Sequence, residues 1–227
     1  MDYRVALELQ LGLVAARKSG LLRADAFLLL EHASVLTLGL RGGLENLSVS
    51  ESFLKERGIP IVHVERGGNI TYHGPGQLVG YPIMDLHAAR LSVSGYVNRL
   101  EEVMICTAAS FGVRAGRNAL NRGVWVDNSK IGSIGIAIRG GITFHGFAFN
   151  VNLSLEPFGW INPCGLQGIG VTSLEKELSC KLSTDDVRRE IERNMERIFC
   201  VELKSSDLIL LQCHSRASIE KREHYGG

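Results

Sequence analysis

The chain has 227 residues, 45% of them hydrophobic, enough to bury the core of one domain, so a single domain over residues 1–227 is expected. Its 25 basic and 24 acidic residues leave a formal charge of +1, which gives no broad footprint for nucleic acid, so a charged partner must be met by a local patch. The longest apolar runs, such as 26–30 and 208–211, fall far short of the roughly 20 residues of a membrane span, and the N-terminus carries an early Asp2 and no signal-peptide pattern, so a cytoplasmic protein without a membrane partner is expected.

Apolar residues at Val5, Leu9, Leu13 and Ala16 recur at helical spacing and predict an amphipathic helix from Asp2 to Ser19, stopped by Gly20. Residues 24–31 and 34–38 read as strands, with a turn at 39–43. Ser48-x-x-Glu51 has the form of a capping box, opening a short helix that Gly58 closes. Ile59 to Val64 and Leu78 to Met84 are apolar runs that read as two further strands. Around the junction lies the most constrained stretch of the chain, Arg66-Gly67-Gly68-Asn69-Ile70-Thr71-Tyr72-His73-Gly74-Pro75-Gly76-Gln77-Leu78-Val79-Gly80-Tyr81-Pro82-Ile83. Five glycines and two prolines in it predict a rigid turn, a poor regular strand, whose backbone can approach a ligand closely. A plain turn does not need the cation, hydroxyl, phenol and imidazole of Arg66, Thr71, Tyr72 and His73, or the amide of Gln77.

Beyond this stretch, Ser94 is placed to cap a helix running to Ser110, with Val97, Leu100, Met104 and Ala108 on one face and Gly112 at its end. Gly123 to Val126, Lys130 to Arg139 and Ile142 to Asn152 then form an antiparallel meander. Glycines at 132, 135 and 146 weaken such strands unless another backbone or a ligand lies against them. After a coil at 160–165, a last helix from Ser183 to Phe199 is capped by Ser183, with Asp185 and Asp186 in its first turn. This order predicts an α+β fold, a mostly antiparallel sheet packed with helices.

Five cysteines, at 106, 164, 180, 200 and 213, are an odd number without C-x-x-C spacing, which argues against a disulfide framework and a zinc site; no metal is expected. Cys164 stands between Pro163 and Gly165, a setting fixed on one side and open on the other that suits an exposed nucleophile. The other cysteines fit better as small buried hydrophobes. Lys130 opens a strand otherwise made of Gly, Ile, Ser and Ala, and is either a solvated strand end or a functional cation. Beside Cys164, its ammonium would favour thiolate, and a neutral amine in a dry pocket could take the thiol proton. His73 and His145, each before a glycine, are competing bases that could instead orient substrate or satisfy a core hydrogen bond.

Four ordered motifs carry a resemblance. Arg66 to Gln77, the run 123–126 with 130–135, Thr143 to Val151, and Ile161-Asn162-Pro163-Cys164-Gly165 resemble the lipoyl(octanoyl) transferases of lipoate biosynthesis. The likeness covers residues 31–165, and the ends match only in general character. Departures are Gly132, where the family more often has alanine, and Gly140-Gly141, where a basic residue is commoner. The resemblance implies a fold similar to the catalytic domain of biotin and lipoate protein ligases, and an acyl transfer without ATP or another cofactor. Octanoyl-acyl carrier protein would donate the chain to Cys164 as a thioester. A lysine of a lipoyl domain in a dehydrogenase E2 subunit, or of the glycine cleavage H protein, would then take it as an amide. Lys130 is by this resemblance the activator of Cys164. The acyl site is lined by Arg66, Gly67, Gly68, Asn69, Ile70, Thr71, Tyr72, His73, Ser133, Ile134, Gly135, Gly146, Phe147 and Ala148, with His145 a further candidate. A monomer is expected. The rivals are an ATP-dependent ligase of the same fold, which needs no cysteine, and an inert acyl- or carrier-binding module, which needs neither Lys130 nor Cys164.

Overall fold

The computed structural model describes residues 1–119, 121–162 and 170–206. In chain order the elements are helix α1 (Tyr3–Lys18), strands β1 (Ala26–Leu30) and β2 (Val35–Leu38), helix α2 (Glu51–Glu56), strands β3 (Ile61–His63), β4 (Ile70–His73) and β5 (Gln77–Ile83), and helix α3 (Val93–Ser110). Strands β6 (Val124–Val126), β7 (Ser129–Arg139), β8 (Ile142–Asn150) and β9 (Gly170–Val171) follow, then helices α4 (Leu174–Leu178) and α5 (Thr184–Phe199). The α+β class and the β6-β7-β8 meander match the sequence reading, but the strands build two sheets where one was expected. The larger runs β1-β5-β8-β7-β6 with β9 beside β7, and the smaller runs β3-β2-β4. Two pairings, β2 with β3 and β7 with β9, are parallel.

Within the glycine-rich stretch the turn expectation is corrected at β4. Its glycines lie to either side, at 67–68 and at 74 and 76, leaving four residues free to pair with β2. Ile70 and Tyr72 alternate inward, at 2% and 5% exposure, and join Leu36, Leu38 and Leu54 in a core under the small sheet. Two caps also differ from expectation. Ser50, not Ser48, caps α2 by accepting from Phe53 N, and Ser92, not Ser94, caps α3 by accepting from Gly95 N. In both cases the chain turns helical just after an extended serine, with ψ near 155°, that can reach an orphan N–H. Ser183 caps α5 as expected.

The large sheet is covered on both faces. Leu100 and Met104 of α3, with Val187, Ile191 and Met195 of α5, pack on Ile131, Phe147 and Phe149 on one side. Leu9 and Leu13 of α1 pack against Leu28, Val79 and Phe144 on the other. Cys106 is half-buried, but Cys180 and Cys200 are exposed, correcting the expectation that they are core hydrophobes. Cys200 ends α5 in a left-handed conformation (φ 56°), at a helix terminus that faces solvent.

One irregularity positions the site. Along β6 and β7, Val124 pairs with Gly132 but Trp125 pairs with Lys130, so β7 holds one residue more than its partner, a β-bulge at Ile131. Ile131 and Gly132 therefore both face the helices: Ile131 is fully buried among α3 and α5, and a Cβ on Gly132 would meet Met104 Sδ at 2.6 Å. Lys130 consequently shares the opposite face with Ser133 and Gly135.

Candidate functional site

On that opposite face, between the large sheet, β4 and the 66–69 loop, lies a cavity of about 260 Å³. It brings together Lys130, Ser133, Ile134 and Gly135 of β7 with His145, Gly146, Phe147 and Ala148 of β8. The glycine-rich stretch contributes Arg66, Gly68, Asn69, Ile70, Thr71 and His73. Two residues expected there do not line it: the Gly67 backbone N–H donates to Ile136 O at 3.0 Å, and Tyr72 points into the small-sheet core with its hydroxyl 3.0 Å from Ser34 Oγ. Cys164 lies outside the described residues. Further cavity residues are Tyr3, Val79, Tyr81, Asn121, Arg122, Trp125, Phe158, Ile161, Asn162 and Val171. Tyr81 and Trp125 fell inside quoted motifs, whereas Tyr3 carried no sequence signal beyond its place in a helix.

The strand register orders the cavity along its length. At one end Lys130 sits opposite Trp125, its Nζ 4.9 Å from the indole centroid, and a Cβ on neighbouring Gly123 would lie 2.8 Å from Lys130 Cε. The Lys130 carbonyl accepts from Thr172 N at 3.0 Å, and Lys130 pairs with Val171 of β9. Ser133, Ala148 and Val79 form the middle, paired across β7, β8 and β5. Gly135 and Gly146, paired with each other, form the far end beside Arg66, Tyr81 and His145.

The far end is polar, and its charged and titratable side chains are buried. Arg66 is 7% exposed and donates from Nη2 to Thr37 O and Thr37 Oγ1, both at 2.8 Å, and from Nη1 to Gly67 O at 3.1 Å. Among the described residues it has no carboxylate partner, and its Nε is buried without a hydrogen bond. Burial lowers its pKa, opposed by the phenols of Tyr3 and Tyr81. A Cβ on Gly135 would meet Arg66 Cδ at 2.8 Å, so the glycine is where the arginine stem crosses the sheet. His145 takes a left-handed backbone (φ 55°), uncommon for a residue with a side chain, and both of its ring nitrogens are buried and unpartnered.

Two hydrogen-bond chains fix imidazole tautomers here. The Thr172 carbonyl can only accept, so Asn150 offers it Nδ2 at 2.9 Å and turns Oδ1 to Gln77 Nε2 at 3.0 Å. Gln77 Oε1 then accepts from His73 Nδ1 at 2.8 Å, which leaves His73 Nε2 as the lone-pair nitrogen. Likewise the Met1 carbonyl accepts from His32 Nδ1 at 3.1 Å, and His32 Nε2 accepts from the Tyr81 hydroxyl at 2.7 Å. Burial above all pulls the pKa of His73 and of His145 down to about 3, with Arg66 adding to both, and that of His32 down to about 4. These rings are neutral at pH 7 and weak bases.

Residues 2–196 match the family model described as lipoyl protein ligase A/B catalytic domain. The chain is 53% identical over 192 residues to an Octanoyltransferase of Desulfotalea psychrophila, covering 84% of this chain and 86% of the relative. It is 43% identical over 199 residues to an Octanoyltransferase of Syntrophobacter fumaroxidans, covering 88% and 87%. Among solved structures it is similar to the crystal structure of lipoate-protein ligase A bound with ATP, with TM-score 0.73 over 95% of this chain and 90% of that one, at 16% identity. At that identity the likeness speaks for the fold alone.

Proposed function

From the premise that the chain belongs to the lipoyl protein ligase A/B catalytic-domain family, we propose that it transfers an octanoyl group from acyl carrier protein, through a thioester on Cys164, to a lysine of lipoyl domains. The protein is an acyltransferase of the octanoyltransferase kind. The Cys164 thiolate attacks the donor thioester carbonyl, the carrier thiolate leaves, and Lys130 relays the thiol proton toward it. The acceptor amine then attacks the Cys164 thioester, forms the amide and expels the cysteine thiolate. No step consumes ATP. The acceptors are dehydrogenase E2 lipoyl domains and the glycine cleavage H protein, and the enzyme works in the cytoplasm as a monomer formed by one domain. No helix among the described residues is long and apolar enough to cross a membrane.

The observation that carries this reading is the bulge that turns Lys130 into a mostly apolar slot, with Ile161 and Val171 on its wall. These two residues lie on either side of Cys164 in the chain, and Cys164 is three residues past Ile161, within about 11 Å of chain reach. An eight-carbon chain suits the aliphatic middle of the slot. Intact mass after incubation with octanoyl-acyl carrier protein is the test. One octanoyl adduct is expected on the wild type and none on a folded Cys164→Ala variant. Transfer that needs ATP, or a Cys164→Ala variant with most of its turnover, overturns the reading.

A further inference from the structure

We propose that Arg66 is the stop that sets acyl-chain length, an inference that rests on the acyl-transfer reading and names the specificity determinant of the same slot. From Lys130 to Gly135, β7 runs about 15 Å. Seven C–C bonds of about 1.5 Å in a zigzag cover about 9 Å of that. The lysine side chain and the thioester occupy the rest, so the last carbon of an octanoyl chain arrives at the Gly135–Gly146 level.

There the wall changes character. Val79 and Ala148 give way to the guanidinium of Arg66, whose stem crosses over Gly135 and whose three donor bonds to Thr37 and Gly67 hold it in place. Each methylene buried along the aliphatic middle contributes about 0.8 kcal/mol. A methylene beyond it gains nothing comparable, because it must press on a buried cation that has no carboxylate among the described residues and is pinned by its three hydrogen bonds. The slot therefore ends electrostatically as well as sterically.

S-acyl pantetheine thioesters with six, eight and ten carbons test this, read both as calorimetric Kd and as the rate of acyl-enzyme formation by mass. Wild type should favour eight carbons over ten in both readouts. Arg66→Met, which replaces the guanidinium by a flexible apolar chain, should raise the ten-to-eight ratio about 15-fold, the worth of two methylenes. Gly135→Ala, whose Cβ would meet Arg66 Cδ at 2.8 Å and push the arginine into the slot, should move the preference toward six carbons. If no length yields an acyl-enzyme, the transfer reading fails while the Kd ratios still judge the stop. A folded Arg66→Met with the wild-type ratio overturns the stop; should that variant not fold, an unchanged ratio in Gly135→Ala does so.

Discussion

Lys130 is held from several sides: its carbonyl by Thr172, its strand by Val171, its ammonium against Trp125 and its stem against Gly123. The proposed mechanism assigns proton transfer to this lysine and not to the neutral, weakly basic His73 and His145. On the proposed mechanism Lys130→Ala should slow acylation by roughly a hundredfold or more, the usual loss of a positioned base, while the Kd for octanoyl-pantetheine changes little. Lys130→Arg should not restore the rate, because guanidinium keeps its protons and differs in shape and reach. Rapid-quench acylation beside calorimetry checks both. An unaltered acylation rate in folded Lys130→Ala would return the proton to another group.

At the level of strands, the three glycines that looked weakening in the sequence meet three different neighbours. Gly132 admits Met104 of α3, Gly135 admits Arg66, and Gly146 admits backbone, since a Cβ there would come 2.1 Å from Gly80 O and 2.9 Å from Pro82 Cδ. Backbone cannot step aside, so Gly146→Ala should destabilise the fold by about 1–3 kcal/mol, as overpacking does. Gly159→Ala, which meets nothing within 4 Å, is the control. Urea midpoints decide; equal midpoints would mean the β5–β8 contact is softer than described. The meander, α1 and α5 were legible because period-2 and 3.6 patterns and a serine cap announced them. β4 was hidden because its flanking glycines dominate the composition of the segment. β9 was hidden because two residues carry no periodicity. The cavity residues of the glycine-rich stretch could be named in advance, but Tyr3 could not, since nothing local distinguishes a tyrosine facing a slot from one facing a core.

For the molecule as a whole, three buried neutral imidazoles tie stability to acidity. The folded pKa values of His32, His73 and His145 lie below the unfolded value of about 6.5, so the unfolded chain binds more protons as pH falls. Their stabilisation is complete above pH 6.5 and is lost as pH drops toward 4 and then 3. Between pH 7 and pH 5, one such ring should remove about 2 kcal/mol from the unfolding free energy. His145→Gln should lose that much less than wild type over the same interval, measured by urea unfolding at both pH values; identical slopes would mean His145 is solvated in the native protein. A different kind of dependence follows from the bulge at Ile131. Strand faces obey parity, so the break in alternation at 131 and 132 decides which compartment receives the lysine. The same residues alternating regularly from 133 back to 130, with no bulge, would turn the ammonium under α3 and leave the acyl slot without it. Here an irregularity of the backbone is as much a functional specification as the identity of the side chains it carries.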